Sequence, residues 1–317
     1  MHALVTGAAG FIGSHLADAL LARGHTVRGV DCFTDYYDPA IKRANLVGAS
    51  TNPAFTFVED DLADADLASL LDGIDVVFHQ AAQPGVRLSW QQGFARYERD
   101  NVIVTQRLLE ACRDHRLVRF VFASSSSVYG NAARYPTTET DLPRPFSPYG
   151  VTKLAAEHLC RAYAANFGVP TVSLRYFTVY GPRQRPDMAF HRLIEAGLGG
   201  PPFSLFGDGS QIRDFTYIDD VIEANLAAAT AALEPGEVIN ISGGGSAPLY
   251  QVIELAAELL GRPITLDRRD AQPGDVRETG GAIDRAMELL GWRPQVPLRE
   301  GLRRQIDWHR SRRETAS

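Results

Sequence analysis

The sequence predicts a doubly wound α/β fold: a parallel sheet covered by helices on both faces, with a smaller C-terminal α/β lobe. Three observations predict it. Short apolar runs at 3–6, 26–31, 55–59, 75–79, 119–123 and 171–176 read as buried strands. Helical patterns at 11–23, 62–71, 98–115 and 148–167 alternate with them. The first run leads straight into a glycine-rich turn, Gly7-Ala8-Ala9-Gly10-Phe11-Ile12-Gly13.

The 317 residues suffice for one large domain, or a large and a small one. Hydrophobic residues make up 45% and charged residues 22%, as in a soluble globular enzyme. A net charge of −6 argues against a nucleic-acid footprint. Cys32, Cys112 and Cys160 are far apart and odd in number, and no Cys/His spacing resembles a zinc site. No metal is expected, and reduced thiols in a cytoplasm fit best. The first residues show no signal peptide, and no apolar run reaches 18 residues, so no membrane span is expected.

Each glycine of the first turn has a task. Gly7 permits the tight turn, Gly10 lets backbone approach a pyrophosphate, and Gly13 lets helix pack on strand. The helix that follows offers free N–H groups and its positive dipole end to phosphate. A plain turn is the competing explanation. The context of strand, turn, helix and a second strand ending in Asp31 is that of a Rossmann-type dinucleotide site. A carboxylate there accepts from the adenine ribose hydroxyls and repels a 2′-phosphate, and no arginine follows it immediately. NAD is therefore the expected cofactor. Asp61 and Leu62 after the third strand should border the adenine, and Gln80, Ala81 and Ala82 after the fourth should line the cofactor.

The fifth strand ends in Ser124-Ser125-Ser126-Ser127, where hydroxyls sit at the carboxyl edge of a parallel sheet. Ser125 is the candidate to bond a reacting hydroxyl; a polar turn would explain some of these serines equally well. The next helix opens with Ser147 as N-cap and Pro148 in its first turn. Tyr149 and Lys153 lie four apart on one face of it. Bringing a phenol from about 10 to near neutrality requires about 4 kcal/mol of differential stabilisation. A neighbouring ammonium and a positive nicotinamide can supply it. An interfacial tyrosine and a surface lysine are the alternative.

Beyond residue 180 the pattern changes, with Pro and Gly clustered at 181–186, 199–202, 207–209, 243–245 and 273–281. We expect a cofactor-binding domain of 1–180 plus about 213–243, with 238–241 returning as the last strand of the main sheet. Residues about 181–212 and 244–317 then form the substrate lobe, and the polar stretch 310–317 is expected to fray.

With these motifs the chain resembles the extended short-chain dehydrogenase/reductase family over nearly its whole length. The matching segments are the glycine turn, Asp31, His79-Gln80-Ala81-Ala82, 124–130, Tyr149/Lys153, Arg175-Tyr176-Phe177, Tyr180-Gly181-Pro182 and Arg213-Asp214-Phe215. Within it the chain is most similar to UDP-glucuronate 4-epimerases, on 81–87, 177–182, Arg185-Pro186-Asp187-Met188-Ala189 and 213–220.

The resemblance implies that Tyr149 takes the O4 proton while C4 passes hydride to NAD. The 4-keto sugar turns over in the site and hydride returns to the opposite face. Ser125 would assist, and Lys153 would hold the nicotinamide ribose. Asn101 and Tyr176 join the cofactor side. Gln83, Pro84, Ser126, Ser127 and Thr178 join the substrate side. Related 4,6-dehydratases carry an acidic pair at the positions of Ser126 and Ser127, and related UDP-glucuronate decarboxylases a glutamate at Ser127. Arg185 would grip the uronate carboxylate, unless it is a solvated loop arginine. Arg213 and Arg277 would bracket the diphosphate, with structural ion pairs (Arg213 with Asp214 or Asp219) as the competing view. The segment 203–206, with Phe206, and Met188 would floor the uracil. Arg87 could meet the diphosphate or an acidic side chain of the lobe. The resemblance also implies a homodimer through helices 98–115 and 148–167. UDP-glucose/UDP-galactose 4-epimerase and UDP-glucuronate decarboxylase are the alternative activities. A non-catalytic NAD-sensing protein of this fold typically lacks the Tyr/Lys pair.

Overall fold

The computed structural model describes residues 1–90, 93–270 and 274–316. From the N-terminus the chain runs β1 (His2–Thr6), α1 (Phe11–Ala22), β2 (Thr26–Asp31), α2 (Pro39–Ser50), β3 (Phe55–Glu59), α3 (Leu67–Leu71), β4 (Val76–His79) and α4 (Phe94–Tyr97). A π-helical segment Glu98–Ile103 leads into α5 (Val104–Cys112), β5 (Arg119–Ser125), α6 (Pro148–Phe167), β6 (Thr171–Tyr176), β7 (Thr178–Tyr180), α7 (Ala189–Gly197) and β8 (Phe203–Phe206). There follow β9 (Ile212–Tyr217), α8 (Ile218–Thr230), β10 (Glu237–Ile241), β11 (Ser246–Pro248), α9 (Leu249–Leu260), β12 (Leu266–Arg269), α10 (Asp284–Leu290) and α11 (Leu298–Ala316).

Among the described residues the large sheet has seven strands, all parallel, in the order β10-β6-β5-β4-β1-β2-β3. The order reverses at β1, so a crevice opens beyond the carboxyl ends of β1 and β4, where such sheets bind ligands. Alternate residues of β1 serve opposite faces. Ala3 and Val5 pack with Leu16 and Leu20 of α1 and with Val221 of α8. Leu4 packs with Leu108 and Leu109 of α5. Helices on both faces explain why β4, β5 and β6 are buried at every position. A three-stranded sheet, β11-β9-β7, and a two-stranded one, β12-β8, make up the rest of the strands.

The six expected strands all form, and β10 returns beside β6 with Ile241 opposite Tyr176. The helix expected at 62–71 contracts to α3, because Asp61 Oδ1 takes the Ala63 N–H (2.9 Å) in a turn and Asp66 caps the shorter helix through Ser69 N. The helix α2 was not anticipated, although Asp38 caps Ala40 N ahead of Pro39, a recognisable start signal. The tail does not fray as expected: residues 310–316 continue α11, and Arg313 donates to Leu198 O and to Glu195. No described helix is long and apolar enough to cross a membrane.

His79, at the end of β4, is buried beside the crevice. Thr105 donates its hydroxyl hydrogen to Asn101 O (2.7 Å), so it accepts from His79 Nε2 (3.0 Å), and His79 Nδ1 accepts from Thr6 Oγ1 (2.8 Å). The neutral ring satisfies both contacts, and burial, with the Lys153 charge, pushes its pKa down to about 3. Between about pH 6.5 and this value the unfolded chain binds a proton that the folded chain refuses, so folding stability falls as pH falls. We expect the urea midpoint to drop from pH 7 to 4, and His79→Asn to flatten the slope by up to about 1.4 kcal/mol per pH unit. An unchanged slope in the variant would contradict this.

Candidate active site

The crevice is lined by the first turn and α1 (Gly7, Gly10, Phe11, Ile12, Gly13), by Asp31, Asp61 and Leu62, by Gln80, Ala81 and Ala82, and by Ser124, Tyr149, Lys153 and Tyr176. A Cβ on Gly13 would lie 2.1 Å from Gly7 O, so only glycine fits between turn and helix. Gly7 itself has φ +66° and packs on Ala81, where a Cβ would meet the backbone nitrogen at 2.9 Å. No side chain caps α1, which leaves first-turn N–H groups for an anion. Asp31 is fixed by Ala9 N (3.2 Å) and Phe33 N (2.9 Å). Asp61 is held by Arg99 (2.6 Å). Gln80 and Tyr176 both bond Asn225 Oδ1, at 3.1 and 2.8 Å. The donor set fits a dinucleotide: an anion cradle in the middle, a carboxylate at the ribose end, and the Tyr/Lys pair at the other.

That pair is built as expected. Ser147 accepts from Gly150 N (3.2 Å), Pro148 starts α6, and Tyr149 and Lys153 face the crevice one turn apart. Lys153, 3% exposed, donates to Ala123 O (2.8 Å) and lies over the Phe122 ring at 5.0 Å. Burial brings its pKa down to about 8. Burial also holds the Tyr149 phenol above its ordinary value, opposed by a hydrogen bond with Ser125 and by the Arg185 charge. Ser125 and Arg185 thus favour the phenolate. Ser125 also accepts from Ser127 N (3.1 Å). Ser124 is drawn the other way and donates to buried Glu157 (2.8 Å).

The remaining residues divide. Asn101 does not line the crevice: its amide donates to Gln83 O (3.1 Å) and Thr152 Oγ1 (3.0 Å) and accepts from Gln83 N (2.7 Å), so it and buried Gln83 shape the wall from behind. Of the expected substrate residues, Pro84 and Arg185 line the crevice. Ser126 and Ser127 lie half-buried in the turn after β5, and Thr178 half-buried on β7. Met188 packs half-buried on the core. On β8, Phe203 and Leu205 face the core, while Phe206 carries the Arg87 guanidinium over its ring at 4.0 Å. Arg87 is paired with Asp275 (2.8 Å). Arg213 forms no pair with Asp214 or Asp219; it donates to Val276 O (2.7 Å) and Ile212 O (2.8 Å). Arg277 is exposed, its backbone N–H held by Asn131.

Sequence reasoning missed Tyr36, Tyr37, Lys42 and Arg99, which also line the crevice. Tyr36 and Tyr37 stand in the loop beyond the carboxyl end of β2, the position from which such loops reach a ligand. His191, Glu195 and His309 have ligand atoms within 4.8 Å of one another, but Glu195 is engaged by His309 (2.6 Å) and Arg313.

A switch-point crevice with a glycine-lined anion cradle, a ribose carboxylate and a Ser/Tyr/Lys set defines a dinucleotide-dependent enzyme of the extended short-chain dehydrogenase/reductase class. Residues 3–242 match the model of the NAD dependent epimerase/dehydratase family, and the chain belongs to it. It is 48% identical to an uncharacterized UDP-glucose epimerase of Bacillus subtilis (96% of this chain, 97% of that one) and 38% identical to a UDP-glucuronate 4-epimerase of Thermodesulfobacterium geofontis (96% and 95%). A crystal structure of UDP-glucuronic acid 4-epimerase from Bacillus cereus, in complex with UDP-glucuronic acid and NAD, superposes with a TM-score of 0.95 at 47% identity, covering 98% of this chain and 99% of that one.

Proposed function

We propose that this chain interconverts UDP-glucuronate and UDP-galacturonate, inverting C4 through a transient 4-keto sugar. The observation that carries it is Arg185, a cation lining the crevice close enough to Tyr149 for its charge to act on the phenol. A carboxylate one carbon from the reacting C4 suits that position. Relatives named for UDP-glucuronate and the Bacillus cereus complex support the same substrate. Bound NAD accepts the C4 hydride and returns it, so the net change is isomerisation. Tyr149 takes and restores the O4 proton, Ser125 relays it, and Lys153 binds the cofactor ribose. Ser126 and Ser127 place hydroxyls where the related decarboxylases and dehydratases use carboxylates.

Incubating purified protein with UDP-glucuronate and no added NAD should yield UDP-galacturonate. A UDP-pentose would indicate decarboxylation, and no product would redirect the assignment to UDP-glucose. Arg185→Ala should lower kcat/KM for UDP-glucuronate by about 10- to 100-fold, the worth of a charge-assisted hydrogen bond. The loss on UDP-glucose should be smaller; equal losses would refute the carboxylate role. Ile103, at the end of the segment that leads into α5, and Val151, within α6, are 46% and 49% exposed and support a homodimer, which light scattering would read as twice 34.7 kDa. Two buried free thiols, Cys112 and Cys160, suit a cytoplasmic setting.

A further inference from the structure

Resting on the uronate reading above, we infer that Asp187 and Tyr36 are positioning residues that fix which edge of Arg185 meets the substrate carboxylate, and so keep the 4-keto intermediate from losing CO2. Arg185 grips Asp187 through one edge of its fork: Nε to Oδ1 and Nη2 to Oδ2, both at 2.9 Å. The other edge, with Nη1, is left to the crevice, and the side chain is only 19% exposed. Tyr36 donates its hydroxyl to the same Asp187 Oδ2 (3.2 Å), and its ring lies 5.8 Å from the guanidinium. A guanidinium held at both an oxygen pair and a ring face cannot rotate about its stem without breaking three contacts.

The loop that carries Arg185 is tied to the cofactor-binding helix as well. Pro182 O meets His15 Nε2 at 2.9 Å, and Arg183, at φ +61°, pairs with Asp18 at 2.7 Å. Tyr36 stands on the loop after β2 and lines the cofactor crevice itself. The clamp is thus assembled from both sides of the crevice, with its anchors in the part that holds the dinucleotide.

The chemistry makes orientation consequential. Oxidation at C4 turns the uronate into a β-keto acid. If the C5–C6 bond aligns with the C4 carbonyl π system, that bond breaks, CO2 leaves, and the electron pair passes into the C4 enolate; C5 then takes a proton from water. Hydride return to the resulting 4-ketopentose gives a UDP-pentose. Holding the carboxylate in the sugar plane by a fixed guanidinium edge keeps the C5–C6 bond out of that alignment.

The test measures the product partition of the full-length enzyme on UDP-glucuronate for the parent, Asp187→Ala and Tyr36→Phe, with melting temperatures alongside. We expect the UDP-pentose share to rise about ten-fold in Asp187→Ala and about three-fold in Tyr36→Phe, the scales of losing a charged and a single weaker contact. A pentose share equal to the parent's, with both products slowed together, would mean that Asp187 only steadies the loop and would overturn the inference. Tyr36→Phe removes one hydroxyl and decides the matter if Asp187→Ala fails to fold. A parent that makes no UDP-galacturonate would overturn the uronate reading itself, and this inference with it.

Discussion

Tyr149→Phe should slow turnover of UDP-glucuronate by about 10³- to 10⁴-fold while leaving UDP-sugar binding within a few-fold of the parent, because the hydroxyl acts on the proton in transit. The side chain reaches the crevice from the first turn of α6, edge-on to Tyr97 with ring centroids 6.1 Å apart, so the phenylalanine ring fills the same space. Burial holds the phenol above its ordinary pKa, against the Ser125 hydrogen bond and the Arg185 charge. A bound oxidised nicotinamide ring, being positive, would add to the charges that favour the phenolate. Single-turnover absorbance of the reduced cofactor, set against equilibrium binding of UDP-glucuronate, separates the two effects. Turnover at the parent's rate would eliminate Tyr149 as the base.

How much of this was legible in the sequence depends on how local each cause is. The glycine turn, the strand ending in Asp31 and the Ser147-Pro148-Tyr149 helix start are specified by residues within a few positions of one another, and all three form as read. The partners of the site arginines are another matter. Arg87 finds Asp275 across 188 positions, and Arg213 turns to carbonyls 63 and 64 positions away. No window of sequence holds such pairs, and charge alone cannot say whether an arginine will meet a carboxylate, a ring or backbone. Tyr36 shows the intermediate case. Its place after β2 was a usable signal, but its bond to Asp187 spans 151 positions and depends on how the loop after β7 folds back.

The largest stability effect is expected at the buried ion pair behind the serine strand end. Arg175 of β6 donates to Glu157 of α6 through Nη2 (2.5 Å) and Nε (3.0 Å), with both side chains under 5% exposed. The same Glu157 accepts from Ser124, while Arg175 Nη1 reaches Tyr129 (2.7 Å), which donates to Asn240 of β10 (2.7 Å). One network thus ties β5, β6, β10 and α6 at the edge where chemistry occurs. Arg175→Met leaves a carboxylate buried without its cation and should cost about 3–5 kcal/mol in urea unfolding. The double variant Arg175→Met with Glu157→Gln removes the stranded charge as well and should recover about half of that loss. The positional consequence is separable from the energetic one. Ser124 and Ser125 are adjacent on β5, so a strand end whose partner at 157 has lost the Arg175 anchor shifts the hydroxyl that meets Tyr149. The double variant should therefore regain stability yet remain slower than the parent; full recovery of rate would show that the network holds the fold without aligning the site.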